Sequence, residues 1–312
     1  MKQMYLVKSC NIFLQKKNTA YMFRVLLGVT FIVSSLLKLN SIDSFGLYIF
    51  GFNWFSMNAS MILSRLLVGF EVFLGIALII NRWNRIVNLL TITTLSVFTV
   101  FLFYLVIIGD EANCHCFGDI VNFSPVESIV KNIVLFVLFY FARQSEPFHW
   151  SHASLVIPML FLLSLAMPFF VNLPEFWMEE KTVSYDNESL TEFLNQENIP
   201  VDLKKGKRIV CFYSTVCSHC RIAAKKMDIM AEKISIPDSV FFWGVYDSKG
   251  KLDEFLSSKN IKEHDYVLLD SKIFSITHGR LPLILLMRDG HVEEMMSNQT
   301  LTEEKVFSFM SK

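Results

Sequence analysis

The sequence has little charge for its length. Only 19% of its 312 residues are charged, whereas 53% are hydrophobic, and the mean hydropathy is +0.41. Such a composition is too apolar for a soluble protein of this size, so membrane-spanning segments are expected. The formal net charge is zero, and this balance gives no indication of nucleic-acid binding.

The N-terminus lacks the features of a cleavable signal peptide. Residues 1–20 are polar and contain four lysines, without a short apolar core followed by a small-residue cleavage site. We therefore expect residues 1–20 to form a cytoplasmic segment and the first apolar stretch to remain as a membrane anchor. The sequence also lacks internal repeats and low-complexity tracts.

Five apolar stretches have roughly the length that crosses about 30 Å of hydrocarbon. They cover residues 21–39, 61–80, 86–109, 125–141 and 155–171. We predict five transmembrane helices, four of them in a membrane domain at 21–145 and the fifth at 153–173.

Two of these stretches carry additional local signals. Ser124, Pro125 and Glu127 provide an N-cap, a first-turn proline and a capping-box glutamate for the fourth helix. Pro158 and Pro168 interrupt the fifth stretch, so its ends are less well defined by sequence.

The distribution of basic residues predicts the orientation. The N-terminal lysines, Arg82, Arg85 and Arg143 all fall on one side of the predicted spans, which the positive-inside rule assigns to the cytoplasm. The loops at 40–60 and 110–124 contain no Lys or Arg. These loops and everything after residue 171 are therefore expected outside the cytoplasm, on the periplasmic side of a bacterial inner membrane.

Four of the six cysteines form two close pairs, and both pairs are predicted to lie on the extracytoplasmic side. Cys114 pairs with Cys116 in the 110–124 loop, and Cys217 pairs with Cys220 further along. Cys10 and Cys211 stand alone. Pairs with such spacing indicate redox chemistry or metal binding.

Residues 176–312 have the composition of a soluble α/β domain. A buried strand is predicted at 208–213, followed by Cys-Ser-His-Cys and a helix to about residue 234. Cys220 continues the apolar stripe of that helix, so it should point inward, whereas Cys217 lies outside the stripe. Further strands are predicted at 240–246, 266–269, 283–287 and 292–295, with a hairpin turn at 289–290 and a helix at 302–310.

A cysteine at a helix N-terminus has a lowered thiol pKa, and the thiolate is the form that attacks disulfides. Cys217-Ser218-His219-Cys220, between a strand and a helix, is similar to the dithiol of the thioredoxin superfamily. This resemblance covers about residues 202–312 and includes Leu281-Pro282, which matches the family's cis-proline loop. It implies that Pro282 binds substrate backbone beside the dithiol and that His219 favours the thiolate. A structural disulfide, half of a zinc site and a solvated loop role for His219 remain open.

One position departs from the thioredoxin pattern. Many members bury an acidic residue six positions before the first cysteine, where this sequence has Cys211. The usual proton acceptor for Cys220 is therefore missing, and Cys211 itself is expected to be an inert buried residue.

The membrane half contains a second motif, Cys114-His115-Cys116-Phe117-Gly118. This motif resembles the signature of the MauE and DoxX-like family of redox-associated membrane proteins. The four predicted spans, Lys38 at the end of the first and Glu71 inside the second, also match that family. The resemblance implies a role in forming or maintaining disulfides in extracytoplasmic proteins. A disulfide between two cysteines separated by one residue closes only a small, strained ring, which favours thiol–disulfide exchange over a structural role. A soft-metal site with His115 and a structural disulfide remain open as alternatives.

Glu71 is the polar residue of most interest inside a predicted span, since a carboxylate there is costly unless it is neutral or paired. A proton-handling role beside a quinone is one hypothesis. A structural partnership with Lys38, Arg65 or a backbone group is the other, and Lys38, Arg65 and Lys131 are also placed where they could snorkel to the interface.

The sequence thus predicts a membrane all-α bundle, four MauE/DoxX-like helices plus a fifth, followed by a soluble thioredoxin-like α/β domain. The predicted activity is thiol–disulfide exchange with cysteine-containing extracytoplasmic clients, in which Cys217/Cys220 is coupled to Cys114/Cys116. No tightly bound cofactor is expected, and a quinone is considered for the membrane half. The alternative is a copper-handling or assembly protein that uses the same cysteines as metal ligands.

Overall fold

The computed structural model describes two compact units. Residues 1–48 and 61–173 form the first unit, and residues 49–60 and 174–312 form the second. The described residues are 2–109, 124–148, 153–174, 177, 183–196, 199, 202–247, 249–257 and 261–312, with side chains from residue 18 onward in the first helix and from residue 155 onward in the sixth.

The described part of the first unit is built from helices. They are α1 (Lys2–Asn40), α2 (Ile42–Gly51, whose last turn falls in the second unit), α3 (Met57–Ile80, whose first turn also falls there), α4 (Asn84–Ile108), α5 (Pro125–Ala142) and α6 (Ala153–Val171). Within the described residues, four segments are long and apolar enough to cross a membrane: Asn18–Asn40, Met57–Ile80, Asn84–Ile108 and Pro125–Ala142. The described apolar part of α6, Leu155–Val171, is shorter, so the fifth span stays a prediction.

The expectation of a loop at 40–60 is wrong for most of that segment, because α2 occupies Ile42–Gly51 and α3 begins at Met57. Ile42, Phe45 and Leu47 are buried, and this burial stabilises a helix too short to span a bilayer. A search for apolar stretches long enough to span a bilayer does not find a helix of ten residues.

The start of α5 confirms the predicted capping box. The Ser124 side chain accepts from the Glu127 backbone N–H, and the Glu127 carboxylate accepts from the Ser124 backbone N–H. Pro125 follows as the first helical residue. These contacts satisfy backbone donors that the helix leaves unpaired.

The bundle has an apolar core and an apolar outer surface. Leu27, Phe31, Leu74, Leu78 and Leu95 belong to the buried cluster between the helices. Large apolar side chains are also exposed along these helices, among them Ile107, Val100, Leu155 and Phe170. Exposed apolar surface of this extent fits contact with lipid.

Glycines allow α3 to approach two neighbours closely. A Cβ atom at Gly28 of α1 would lie 2.7 Å from the Gly75 carbonyl oxygen of α3, and the reverse distance is also 2.7 Å. A Cβ at Gly69 would lie 2.5 Å from the Ser164 carbonyl oxygen of α6. Small residues at helix contacts are the usual means of close packing in membrane bundles.

The second unit contains a five-stranded mixed sheet. Its elements are α7 (Asn187–Leu194), β1 (Lys207–Ser214), α8 (Ser218–Ile234), a 3₁₀ turn (Asp238–Val240), β2 (Phe241–Tyr246), α9 (Leu252–Ser257), β3 (Tyr266–Leu269), α10 (Lys272–Ile276), β4 (Leu283–Arg288), β5 (His291–Met296) and α11 (Glu303–Ser311). The strand order is β3-β2-β1-β4-β5. β1, β2 and β3 are parallel, whereas β4 is antiparallel to both β1 and β5.

Alternation along β1 places two sets of side chains on opposite faces. Val210 and Phe212 join a cluster with residues of α7 and α10. Cys211 and Tyr213 lie on the other face, where Tyr213 packs against Trp243 of β2. The sheet is thus covered on both faces, and the helix that carries the dithiol begins at the end of its central strand.

The predicted strands and the helices after the dithiol and at the C-terminus are confirmed to within one or two residues. The 289–290 turn is also confirmed, with positive φ angles of 47° at Asp289 and 80° at Gly290, as a tight hairpin requires. The short helices α7, α9 and α10 were not predicted. Each has five to eight residues, too few for a helical period to be recognised reliably.

Candidate functional site

The candidate site lies at the junction between β1 and α8. Buried β1 ends at Ser214, and Cys217 is the N-cap residue of α8, with an extended backbone at φ −91° and ψ 117°. The Cys217 backbone N–H donates to the Ser214 carbonyl at 3.1 Å, which fixes the turn. The sequence prediction of a dithiol between a strand and a helix is therefore confirmed.

Cys217 takes the place of the side-chain acceptor at a helix start. The Cys220 backbone N–H donates to Cys217 Sγ at 3.3 Å, so a sulfur carries out the capping role usually filled by oxygen. The N-terminal end of a helix favours negative charge. The position is therefore suited to a thiolate.

The two thiols have opposite environments. Cys217 is half-buried, whereas Cys220 is fully buried, as the helical stripe predicted. The hydrogen bond from the Cys220 thiol, followed by backbone N–H groups and the charge of His219, lowers the pKa of Cys217 to about 6. Burial raises the pKa of Cys220 well above its ordinary value. Near neutral pH, Cys217 is therefore a reactive thiolate and Cys220 is a protonated thiol.

His219 and Pro282 were predicted to serve this dithiol. His219 is exposed on the first turn of α8, and its positive charge contributes to the lowered pKa of Cys217. Pro282 is buried at the start of β4, and the Leu281-Pro282 peptide bond is cis. The cis geometry that the thioredoxin resemblance implied is confirmed, while substrate binding by Pro282 stays a prediction.

Cys211 lies within the central strand behind the dithiol. It is fully buried, and burial raises its pKa to about 12. Near neutral pH this thiol is therefore protonated and cannot accept a proton, in keeping with the expected inert role.

Glu71 is buried in the membrane unit together with a charged partner. The Lys38 ammonium forms an ion pair with Glu71 Oε1, and Ser34 Oγ donates to Glu71 Oε2 at 3.4 Å. Lys38 Nζ also lies 5.2 Å from the centre of the Phe98 ring and 5.7 Å from that of Phe45. Of the partners considered from sequence, Lys38 is the one that contacts Glu71.

The snorkelling alternative is wrong for Lys38 and Arg65, because both side chains are buried. Arg65 pairs with Asp43 at 3.0 Å and donates to the carbonyl oxygens of Met61 and Asn172. These contacts compensate the charge of the Arg65 guanidinium inside the unit, so the side chain can remain buried without extending to the membrane–water interface. Lys131 is half-buried.

Arg24 is a buried polar residue that sequence reasoning missed. Its Nε donates to the Leu78 carbonyl at 3.0 Å, and its Nη1 donates to Asn88 Oδ1 at 2.6 Å. An arginine four residues inside a predicted span was the signal that could have drawn attention to it. These bonds connect α1 to α3 and α4.

The remaining predicted site residues are Cys114 and Cys116, which fall outside the described residues. The described residues contain no group of three or more His, Cys, Asp or Glu side chains arranged to hold a metal ion. The geometry on which the proposal below rests is therefore that of the Cys217/Cys220 pair.

Comparisons with known proteins cover both parts of the chain. Residues 16–143 match the family model for methylamine utilisation protein MauE. The chain is also 26% identical, over 274 residues, to Protein TlpB of Flavobacterium psychrophilum, with 68% of this chain and 72% of the relative covered. The family match spans the four apolar helices, and the five-stranded sheet follows it. Residues 16–143 are thus similar to MauE, and they are followed by an α/β domain in which the strand–dithiol–helix order and the cis Leu281-Pro282 bond match the thioredoxin pattern.

Proposed function

We propose that this protein is a membrane-bound thiol–disulfide oxidoreductase that exchanges disulfides with cysteine-containing extracytoplasmic client proteins. The observation that carries the proposal is the asymmetry of the dithiol. Cys217 is accessible at a helix N-terminus with its pKa lowered to about 6, whereas Cys220 is buried and protonated behind it. Nucleophilic exchange requires this division between an attacking and a resolving sulfur.

In the reductive direction, the Cys217 thiolate attacks one sulfur of a client disulfide. A Cys217–client bond forms and the other client sulfur leaves as a thiolate. Cys220 then loses its proton and attacks Cys217 Sγ, which forms the Cys217–Cys220 disulfide and releases the second client thiolate. Two electrons pass from the dithiol to the client, and the reverse sequence oxidises a client dithiol.

His219 and Pro282 are proposed to assist these steps. The charge of His219 stabilises the attacking thiolate. By resemblance to thioredoxin-like proteins, Pro282 would hold the client backbone beside the attacking sulfur.

We further propose that Cys114 and Cys116 exchange electrons with Cys217 and Cys220. A disulfide within Cys114-His115-Cys116 would close a small ring and be comparatively oxidising. Both pairs belong to one chain, so their effective concentration can far exceed that of separate molecules. Oxidation or isomerisation of clients is favoured over reduction, because a stabilised Cys217 thiolate favours the reduced dithiol and makes its disulfide the stronger oxidant.

The location and electron acceptor are part of the same proposal. A cytoplasmic N-terminus and an odd number of spans would place the α/β domain in the periplasm of a bacterial inner membrane. A quinone in the bilayer could then reoxidise the cysteine pairs. Glu71 is the residue considered for proton transfer to it, although its ion pair with Lys38 also supports a purely structural role.

The test is to trap clients in cells with Cys220→Ser, which removes the resolving thiol. Mixed disulfides should accumulate on Cys217, separate on reduction, and disappear in the matched Cys217→Ser/Cys220→Ser control. No adduct in Cys220→Ser would contradict the proposal. Stoichiometric copper in the purified unmodified protein, lost in the double variant, would favour the metal-handling alternative instead.

A further inference from the structure

A cluster of buried polar side chains lies on the sheet face behind the dithiol. The rings of Tyr213 and Trp243 meet edge to face at 5.4 Å, and those of Trp243 and His264 meet at 5.1 Å. His264 Nε2 lies 3.4 Å from Asp228 Oδ1 of α8, the helix that begins at the dithiol. The cluster thus runs continuously from β1 through β2 to α8.

Two buried polar atoms of this cluster, Trp243 Nε1 and His264 Nδ1, have no hydrogen-bond partner among the described residues. The Tyr213 hydroxyl is buried beside the Cys211 thiol, with which it shares a hydrogen bond. An unsatisfied buried polar group costs about 1–3 kcal/mol, and such groups in native proteins are nearly always bonded to protein or to internal water. Internal water between the touching rings of Trp243 and His264 would satisfy both groups.

The cluster is electrostatically linked to the dithiol. After burial, the neighbouring Cys211 thiol and the charges of Asp228 and Cys220 raise the pKa of Tyr213. Charge on the resolving Cys220 is thus one of the influences on the Tyr213 hydroxyl. Because Tyr213 precedes Cys217 by only four residues in sequence, the strand that supports the dithiol also carries this hydroxyl.

The other end of the cluster reaches solvent. His264 Nδ1 lies 3.9 Å from Asp238 Oδ1, whose side chain is largely exposed. The Lys262 backbone N–H donates to Asp228 Oδ2, and Lys262 Nζ donates to Asp238 Oδ2. The charged groups that face His264 are therefore Asp228 from α8, Asp238 from the 3₁₀ turn and Lys262 from its own segment.

Disulfide exchange requires a proton acceptor in this region. When Cys220 attacks the mixed disulfide, its proton must leave a buried environment, and Cys211 cannot take it at neutral pH. Imidazole is the side chain suited to proton exchange near neutrality. We propose that the Tyr213 hydroxyl and the His264 imidazole, bridged by internal water and completed by Asp228, form the path that carries the Cys220 proton to solvent. Trp243 Nε1 donates a hydrogen bond to that water and holds it in place.

This inference rests on the proposed function, and its test separates the two. In a full-length background in which Cys10, Cys114 and Cys116 are serine, the reduced protein is mixed with a stoichiometric amount of 5,5′-dithiobis(2-nitrobenzoate). Attack by Cys217 releases a first nitrothiolate, and attack by Cys220 then releases a second in a step independent of reagent concentration. Failure to observe two phases in this background would contradict the dithiol mechanism itself.

Tyr213→Phe and His264→Asn should leave the first phase unchanged and slow the second. A fall of about 100-fold at neutral pH is expected, the lower end of the range for general acid–base catalysis. The deficit should shrink as pH rises, because bulk hydroxide then removes the Cys220 proton. Asp228→Asn, which keeps the size of the side chain but removes its charge and one acceptor oxygen, should show a smaller deficit of the same kind.

Matched controls are available in the same domain. Tyr246→Phe changes a tyrosine that packs against Phe274, in the cluster on the opposite face of the sheet, and His291→Asn changes an exposed histidine. An unchanged first phase shows that a variant has folded around the dithiol. If Tyr213→Phe and His264→Asn have the same second-phase rate and pH profile as these controls, the proton path does not exist and the cluster is only structural.

Discussion

At the scale of single residues, the chemistry of this protein depends on how different two neighbouring thiols have become. Cys217 and Cys220 are three positions apart, yet one caps a helix and the other is enclosed by its packed face. Backbone N–H groups and the Cys220 thiol stabilise charge on the first sulfur. Exclusion of water destabilises charge on the second.

The pH dependence of alkylation should follow this difference. In the reduced protein the iodoacetamide reaction of Cys217 should have its midpoint at about pH 6, while Cys220 stays unreactive through neutral pH. Since the folded pKa of Cys217 lies below the ordinary value of 9.0, the thiolate's contribution to stability is complete above pH 9 and is lost as pH falls through 6.

His219→Ala tests how much the charge of His219 contributes to the lowered pKa of Cys217. Removal of the positive charge should raise the Cys217 pKa and move the alkylation midpoint upward, because His219 lowers that pKa in the native protein. Mass spectrometry of the labelled peptides measures both sites. Faster labelling of Cys220 than of Cys217 would contradict the assignment of attacking and resolving sulfurs.

The contribution of the Lys38–Glu71 ion pair to stability can be tested with a single and a double substitution. Lys38→Met leaves a buried carboxylate without its partner and should cost about 3–5 kcal/mol. The double variant Lys38→Met/Glu71→Leu should recover most of this loss, since apolar residues replace both charges. Thermal unfolding in detergent measures the stabilities.

Client oxidation in cells then separates the two roles of Glu71. If the pair is structural, the stable double variant retains oxidation. A double variant that folds but accumulates reduced Cys217 would instead favour proton transfer by Glu71.

At the scale of helices and strands, the sequence predicted the elements that have a long apolar pattern or recognisable capping residues. The four apolar segments and the Ser124 capping box were identified because length and cap chemistry are local properties. Helix α2 was missed because its apolar residues are too few to resemble a span. The partners of Glu71 could only be enumerated, since the choice between them depends on how the helices pack.

The same limit applies to the candidate site. The order of strand, Cys-Ser-His-Cys and helix is local, so the positions of Cys217 and Cys220 could be predicted from apolar spacing. Tyr213, Trp243 and His264 come from three separate segments. Their contact depends on strand order and on the residues that follow β2, which no local pattern reveals.

Close packing between α1 and α3 leads to a prediction at this scale. Gly28→Ala places a methyl group 2.7 Å from a backbone oxygen of Gly75, which cannot move independently of its helix. Destabilisation of about 1–3 kcal/mol is expected from overpacking. Thermal unfolding in detergent measures it.

Gly46→Ala is the control for that substitution. Its new methyl would meet the flexible sulfur of Met61 at 2.5 Å, and that side chain can change rotamer. A smaller loss of stability is therefore expected. Helix propensity favours Ala over Gly at both positions, so equal losses would argue that the approach of α1 to α3 does not determine the effect.

At the scale of the whole molecule, topology decides which compartment the dithiol serves. If the basic residues at 82, 85 and 143 face the cytoplasm, both cysteine pairs face the periplasm. Alkaline phosphatase, which is active only outside the cytoplasm, should be active when fused after Lys312 and inactive when fused after residue 83. The reverse pattern would exclude periplasmic clients.

The coupling of the two cysteine pairs distinguishes an electron-transfer protein from an anchored thioredoxin-like domain. Electrons can pass between the pairs only through a transient disulfide that joins one cysteine of each. Cys220→Ser removes the resolving thiol on one side, and Cys114→Ser or Cys116→Ser removes it on the other. One of the two double variants should therefore accumulate a covalent link within the chain.

A protease site inserted after Leu173 makes this link visible. After cleavage, the two halves of the linked variant should migrate together until a reductant is added, whereas Cys217→Ser/Cys220→Ser should separate without it. Both partners of Cys220→Ser must be tried, because sequence does not distinguish Cys114 from Cys116. If neither variant forms the link while Cys220→Ser alone still traps clients, the electrons of the Cys217/Cys220 pair do not pass through the membrane-domain cysteines, and the MauE-like domain serves this chain only as an anchor.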